Sequence, residues 1–149
     1  MERFKTESRY IIKGISRSDD TFNLIANSTS ENVLLTFMPQ LFVNEAEKVL
    51  SPMLTAYFVD EKEQVISSKL LFRMDFIVKN GMPIKLDKEK IEVIDFGVII
   101  SMFDTTIGAF RGVFFEWLKD SPLLKPLPLV DLEDFLKNLE VSFIKPSKE

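Results

Sequence analysis

Through the first two-thirds of the chain, hydrophobic and polar residues alternate in short runs of the kind that form β-strands. The clearest run covers residues 64–78, with apolar side chains on one face and Ser, Lys, Arg and Asp on the other, the pattern of a half-buried strand. Similar runs predict strands over residues 9–15, 32–43 and 50–59. The polar turn at 60–63 is short, so we expect the strands on either side of it to pair antiparallel.

Proline and turn residues interrupt these runs and limit what they form. Pro39 lies inside the second strand and has no N–H to donate to a ladder, which predicts a sheet edge or a bulge there. Residues 22–26 fit either a fragment of strand or a loop packed on the core. Residues 80–83, Asn-Gly-Met-Pro, end the fourth strand. We expect the charged stretch 85–92 to be a loop or the approach to a helix.

After residue 92 the hydrophobic period lengthens to three or four residues, which indicates an α-helix. The recurring apolar positions are Phe96, Ile99, Phe103, Ile107, Phe110, Phe114 and Trp117. Other apolar residues lie off this stripe, so we expect the helix to lie between two surfaces. Gly108 and Gly112 are four residues apart and form a smooth strip, suited to packing on the protein's own sheet or on a second copy. Asp104 begins an Asp-Thr-Thr sequence that suits a helix cap, so a break there is the alternative to one continuous helix.

An apolar connector, residues 121–130, separates this helix from a short final helix predicted over 131–139. Pro122, Pro126 and Pro128 exclude a helix through the connector, because each removes a backbone donor and restricts the residue before it. The connector nevertheless carries several leucines and a valine, too many for a solvated loop. A rigid, extended, apolar segment of this kind must lie in a groove, either of its own protein or of a partner.

Composition limits the class of protein. A chain of 149 residues with 46% hydrophobic and 28% charged residues is typical of one globular domain, here residues 1–149. It contains neither Cys nor His, which excludes disulfides, thiol nucleophiles, Ser-His-Asp arrangements and the commonest metal ligands. The net charge of −4 provides no basic field for nucleic acid. Its 14 phenylalanines suit buried cores and apolar binding surfaces alike.

The location of the protein is predicted from two absences. The first residues lack the apolar stretch of a signal peptide. The most apolar window, residues 93–115, contains Asp95, Asp104 and Arg111, too many charges for a membrane span. We therefore expect a soluble, cytoplasmic protein with no membrane span.

Candidate catalytic residues are few. The acids of the 60–63 turn suit ordinary hairpin polarity, and no Gly-rich phosphate loop is present. Asp104 and Arg111 are seven residues apart on one helix face, which favours a salt link or an interface contact. We expect no catalytic residue, no metal site and no cofactor, and hence a protein that is not an enzyme. An enzyme that uses Asp95 and Asp104 as paired carboxylates is the alternative.

In the order of its elements, the chain from residue 9 to 139 resembles the bacterial export chaperone SecB. The likeness is strongest where Ala-Phe-Arg at 109–111 is followed by the connector and then by Leu-Val-Asp-Leu-Glu-Asp-Phe-Leu at 129–136. SecB has a similar aromatic-Ala-Arg helix segment, a Pro/Leu connector and a Pro-Val-Asn-Phe-like opening of its last helix. Asp131 replaces that Asn and remains a good N-cap. Residues 145–149 show no sign of the tail by which SecB contacts the translocation ATPase.

This resemblance agrees with the strand and helix pattern in predicting an α+β fold. The fold expected is a four-stranded antiparallel sheet followed by a long helix and a short C-terminal helix, packed on one face. The resemblance implies an ATP-independent holding chaperone or adaptor for unfolded, apolar polypeptide, serving protein export or a toxin–antitoxin client. It also implies a homo-oligomer, dimer or tetramer, with helices between sheets. We place Gly108, Arg111 and Gly112 at that oligomer interface.

The binding groove that the resemblance implies lies between the connector and last helix on one side and the sheet on the other. Large side chains without fixed hydrogen-bond geometry suit a client-binding surface. The residues expected to bind the client are Phe37, Leu41, Phe42, Leu124, Leu127, Leu129, Leu132, Phe135 and Leu136. The alternative for each is a place in the core beneath the last helix. A small-molecule or lipid carrier, with an apolar pocket between sheet and helices, is the alternative function.

Overall fold

A computed structural model describes residues 9–18, 21–25 and 33–145. The described chain contains seven strands, one long helix and one short helix, the last followed by a turn of 3₁₀ helix. In chain order they are β1 (Tyr10–Arg17), β2 (Leu34–Asn44), β3 (Val49–Val59), β4 (Leu70–Val78), β5 (Ile84–Asp87), β6 (Lys90–Val93), α1 (Phe96–Leu118), α2 (Leu132–Phe135), the 3₁₀ turn (Leu136–Asn138) and β7 (Glu140–Phe143).

Five of the strands form one sheet in the order β1-β4-β3-β2-β7. The first four pair antiparallel, so the predicted four-stranded antiparallel sheet is confirmed. β7 adds a fifth strand that runs parallel to β2, beside residues 40–43. The sheet is therefore mixed, and the fold is α+β as predicted. The sequence does not predict β7, because a four-residue run gives too little alternation to recognise.

Alternation along β4 places its even-numbered residues in the core. Leu70, Phe72, Met74, Phe76 and Val78 are buried, which confirms the face predicted for this strand. The strand begins at Leu70, later than predicted. The turn before it is organised by Asp60, whose side chain accepts hydrogen bonds from the backbone N–H groups of Lys62 and Gln64 at 2.8 and 2.9 Å.

The stretch predicted as a loop or helix approach is instead a β-hairpin, so that prediction is wrong. β5 and β6 pair antiparallel around the two residues Lys88 and Glu89, which have φ values of 48° and 67°. Two successive positive φ values characterise the type I′ hairpin turn, which usually has Asn-Gly or a similar pair. Lys-Glu carries no such signal, and this is why the hairpin was missed.

The long helix packs its apolar stripe on the sheet, with Phe103, Phe110 and Phe114 almost fully buried. Asp95 caps its start by accepting a hydrogen bond from the Val98 N–H. The helix runs without a break through the Asp-Thr-Thr sequence at 104–106, so the break predicted there as an alternative is wrong. The hydroxyls of the two threonines there donate to carbonyls one turn back, so they are accommodated inside a single helix.

α1 is long and apolar enough, by length and composition alone, to cross a membrane. It also packs closely on the sheet of the same chain, with Met102 and Leu118 fully buried. Core helices of soluble proteins satisfy the same length and composition test.

Two features of the sheet edge were left open by the sequence. Pro39 pairs with Leu54 of β3 without a register shift, and β7 begins to pair only at the next residue. Pro39 therefore lies where β2 is a sheet edge, the first of the two predicted possibilities. Residues 22–25 form a fragment of strand, one of the two predicted possibilities, because Leu24 pairs antiparallel with Ser67. Phe22 also packs on the core, edge-on to Trp117 at 4.8 Å. Residue 26 lies outside the described residues.

Candidate functional site

The connector leaves α1 through a tight turn and then extends across the molecule. Ser121 donates its backbone N–H to the Leu118 carbonyl at 2.9 Å, and Leu124 donates to the Ser121 carbonyl at 3.2 Å. Beyond this turn, no backbone–backbone hydrogen bond among the described residues involves 125–130. The prolines at 126 and 128 have no N–H and force the residues before them into extended conformations. The connector must therefore be held by side chains.

One of these side chains is Arg111 of α1. Its Nη1 donates a hydrogen bond to the Leu127 carbonyl at 2.7 Å, and its Nη2 donates to the Pro128 carbonyl at 3.3 Å. The sequence predicts Arg111 at an oligomer interface or in a salt link with Asp104. Its guanidinium binds the connector of the same chain, and the ion pairs of the described residues do not include one with Asp104, so the salt link is wrong. A place at an oligomer interface stays a prediction.

The leucines of the connector face in different directions. Leu127 points into the core and is 6% exposed, whereas Leu129 is 94% exposed and Leu124 is 40% exposed. Leu129 is therefore an apolar side chain in contact with solvent, on a segment whose backbone is held at two successive carbonyls. The connector thus supplies both core contacts and an outward apolar surface.

The final helix is attached to the sheet by aromatic rings. Asp131 caps it by accepting from the Asp134 N–H. Phe135 stacks on Phe37 of β2 at a centroid distance of 4.8 Å, and Phe37 also stacks on Phe110 of α1 at 5.3 Å. Leu136, in the following 3₁₀ turn, is buried. The last helix therefore fills the space above β2 rather than leaving it open.

Beside this filled region, a cavity of about 450 Å³ lies beneath the connector. We call it the connector groove. Its described lining residues come from β2 and the residue before it, β3, α1 and the connector, and eight of the nine are apolar: Val33, Leu35, Phe58, Phe114, Pro122, Leu123, Lys125, Pro126 and Pro128. Among the described residues, Lys125 is the one charged member of this lining, and no acidic side chain belongs to it. The groove is suited to holding apolar groups rather than to acid–base chemistry.

The chain's single tryptophan lies against two walls of the connector groove. Trp117 contacts Phe58 at a centroid distance of 6.3 Å and Phe114 at 6.1 Å. Its indole N–H is buried and has no hydrogen-bond partner among the described residues. Because Trp117 contacts two rings that line the groove, its fluorescence is a suitable reporter for binding there.

The residues predicted to bind a client fall into four groups. Leu41, Leu127 and Leu136 are buried in the core, which matches the alternative that the sequence left open for each. Phe37, Leu132 and Phe135 are half-buried and pack on that core. Leu124 and Leu129 remain exposed on the connector. Phe42 alternates to the opposite face of β2 from Leu41, opposite Ser51 of β3, so its side chain does not face the connector.

The sequence did not indicate which residues form the floor of the connector groove, although part of that floor was detectable. Val33 and Leu35 share a face with Phe37 in the alternation of β2, and Phe114 belongs to the helical stripe. Alternation separates the two faces of a strand but does not show where the layer above it ends, so it does not distinguish groove residues from core residues. Phe58 carried no separate signal.

The outer face of α1 carries the glycine strip. A Cβ built on Gly108 or Gly112 meets no atom within 4 Å, and both residues are exposed. The strip therefore does not pack on the protein's own sheet, which was one of the two predicted possibilities. Contact with a second copy stays a prediction.

The acidic residues considered for catalysis have structural partners or lie apart. Asp95 caps α1 and forms an ion pair with Arg9 at 2.7 Å, while Asp104 lies on the exposed side of the helix. Among the described residues, no group of three or more Asp, Glu, His or Cys side chains is placed to hold a metal ion.

Comparison with known proteins supports the fold. The sequence matches no protein-family model and no curated protein. The structure is similar to that of a Mycobacterium tuberculosis SecB-like chaperone in complex with a ChAD peptide from the HigA1 antitoxin, with a TM-score of 0.51 and 13% identity over 82% of this chain and 86% of that one. A Streptococcus agalactiae protein of unknown function also matches, at 13% identity over 81% of this chain and 98% of that one, but with a TM-score of 0.27. The first likeness confirms that this chain has a SecB-like fold.

Proposed function

We propose that the protein is an ATP-independent holding chaperone or adaptor that binds unfolded, apolar polypeptide at the connector groove. One observation carries the proposal: an extended connector lies over an apolar cavity and exposes Leu124 and Leu129 beside it. Groove and exposed leucines together form a surface with large contact area and few hydrogen-bonding demands, which suits clients of varied sequence.

The fold gives this proposal a precedent. The similar Mycobacterium tuberculosis protein is a SecB-like chaperone that was solved with a peptide from an antitoxin. By analogy, the client here is a segment of another protein in extended form, either an exported polypeptide or a partner from a toxin–antitoxin system. Fold-level analogy does not select between them, so the client's identity is left to experiment.

We further propose that the protein acts as a cytoplasmic homo-oligomer and is not an enzyme. The open glycine strip of α1 supports the oligomer, because two helices approach closely where side chains are absent. The cap and ion-pair roles of Asp95 support a non-enzymatic protein, since they account for the most prominent acidic residue by its structural contacts.

A small-molecule carrier is the second candidate. The connector groove, at about 450 Å³, falls within the roughly 300–1,000 Å³ of small-molecule sites. A lipid or aromatic compound that co-purifies with the protein and quenches Trp117 would favour this candidate. Protection of a denatured protein distinguishes the two candidates, because a groove that holds only a small ligand would not prevent that protein from aggregating.

The test is suppression of aggregation of a chemically denatured protein, followed by light scattering. We expect the wild type to suppress aggregation at stoichiometric concentration without ATP. The double variant Leu124→Ser/Leu129→Ser should lose most of this effect and remain folded, because both side chains are exposed. Leu86→Ser is the matched control, since Leu86 is 48% exposed on the β5–β6 hairpin. Equal activity in the double variant would contradict the proposed surface, and an inactive wild type would contradict the function.

A further inference from the structure

We propose that Arg111 is a positioning residue for this site: by holding two successive carbonyls it determines which connector leucines face the core and which face a bound polypeptide. The inference rests on the proposed function, because it concerns how that same surface is presented. It assigns Arg111 a role inside its own chain rather than at an oligomer interface.

The geometry of the contact carries the inference. The guanidinium is a rigid planar fork, and its two terminal nitrogens donate to the neighbouring carbonyls of Leu127 and Pro128 at 2.7 and 3.3 Å. Two bonds from one plane fix the rotation of the connecting peptide as well as its distance from α1. A single-point donor such as a lysine ammonium would fix only the distance.

The directions of the flanking leucines show what this rotation achieves. In a regular β-strand residues i and i+2 share a face, so Leu127 and Leu129 would point the same way. Leu127 is 6% exposed and Leu129 is 94% exposed, so the connector departs from that alternation between them, at the residues whose carbonyls Arg111 holds. One leucine anchors the connector in the core while the other is presented outward.

Other contacts do not replace this tether. Among the described residues, the hydrogen bonds to carbonyls of 125–129 come from Arg111, and two of these residues are prolines that cannot donate. Leu129, at 94% exposed, has almost no packing of its own to hold its direction. Without the guanidinium the outward leucine would sample many orientations, and a bound chain would have to order it at an entropic cost.

The experiment is a double-mutant cycle on peptide affinity. The probe is a short fluorescein-labelled peptide rich in Leu and Phe, and binding to the full-length protein is followed by anisotropy and by Trp117 fluorescence. We expect Arg111→Gln and Leu129→Ser each to weaken binding by about tenfold, close to 1.4 kcal/mol. If Arg111 acts through Leu129, the double variant should bind no more than about twofold more weakly than either single variant, since coupled residues are non-additive.

Two further measurements separate positioning from general stability. Backbone order parameters of the Leu127 and Leu129 amides, from ¹⁵N relaxation, should fall in Arg111→Gln, while helix content stays at the wild-type level. Arg111→Lys keeps the charge but loses the fork, so it should resemble Arg111→Gln in affinity. It also provides a folded variant if the glutamine variant does not fold.

Each alternative outcome has a defined meaning. A wild type that neither binds the peptide nor suppresses aggregation contradicts the proposed function itself. A wild type that binds, with Arg111 variants of equal affinity, overturns the positioning role while leaving the function standing. Additive losses in the cycle overturn the role as well, because they show that Arg111 does not act through Leu129. A change in oligomer size with unaltered peptide affinity would assign Arg111 to an interface and likewise overturn it.

Discussion

Phe37 and Phe135 stack with their ring planes 21° from parallel and their centroids 4.8 Å apart, and this pair joins the last helix to the sheet. α2 has only four residues, too few to be stable as an isolated helix. Phe37 also stacks on Phe110 of α1, so a single ring contacts both helices. The position of α2, and with it one end of the connector, depends on this aromatic contact.

Removal of the Phe135 ring should therefore destabilise the protein. We expect Phe135→Ala to lower the free energy of unfolding by about 2 kcal/mol, less than the roughly 3–5 kcal/mol of a fully buried phenylalanine because Phe135 is half-buried. Urea denaturation followed by circular dichroism measures the change. Phe115→Ala is the control, since Phe115 is 52% exposed on α1. Equal losses in the two variants would show that the stack has no special role.

The glycine strip predicts a variant that separates assembly from folding. The Gly108→Leu variant should keep the wild-type helix content, because a Cβ at residue 108 has no atom within 4 Å and leucine is a strong helix former. If two copies meet at this strip, the leucine should shift the protein to smaller species in size-exclusion chromatography with light scattering. Glu133→Leu, on the exposed side of α2, is the control. An unchanged mass distribution for Gly108→Leu would exclude the strip as the interface.

The β5–β6 turn predicts a stabilising double substitution. Lys88 and Glu89 both have positive φ, a backbone region that costs L-residues roughly 1–2 kcal/mol. Lys88→Asn/Glu89→Gly introduces the pair that a type I′ turn favours, so we expect a gain of about 1 kcal/mol in unfolding free energy. Glycine at the neighbouring strand position, Lys90→Gly, should instead destabilise. A loss of stability in the double variant would contradict the turn assignment.

A hydrogen bond between side chains joins the first strand to the long helix. The hydroxyls of Tyr10 and Ser101 are hydrogen-bonded, and the Tyr10 ring packs edge-on against Phe76 at 5.2 Å. Tyr10→Phe keeps the ring and removes the hydroxyl, so we expect a loss of about 1 kcal/mol. Ser101→Ala should cost a similar amount, and the double variant should cost little more than either alone. Additive losses by thermal denaturation would show that the two hydroxyls do not interact.

Long, regular patterns were enough to predict the main elements. β4 repeats its alternation over nine residues and α1 repeats its apolar stripe over 23, so each period is unmistakable. β5, β6 and β7 have four residues each, which is too short for a period to emerge. Their pairing depends on contacts with distant parts of the chain.

The candidate site was predictable in place but not in detail. The proline and leucine content of the connector indicated an extended apolar segment in a groove. Which leucines would point outward depends on Arg111, which reaches across 16 positions to the Leu127 carbonyl. That contact produces no periodic pattern in the sequence. The sequence around an arginine on a helix does not show whether its side chain contacts solvent, a carboxylate or a backbone carbonyl.

The pairing of β7 with β2 has a consequence for how the chain folds. Gln40 and Glu140 are hydrogen-bonded neighbours separated by 100 positions, so β7 is synthesised long after its partner strand β2. Contacts this far apart in sequence require the closure of a long loop and form late. Until then, the edge of β2 along residues 40–43 lacks its partner strand. A newly made chain therefore passes through a stage in which its sheet is incomplete and exposes an unpaired edge that can pair with another chain.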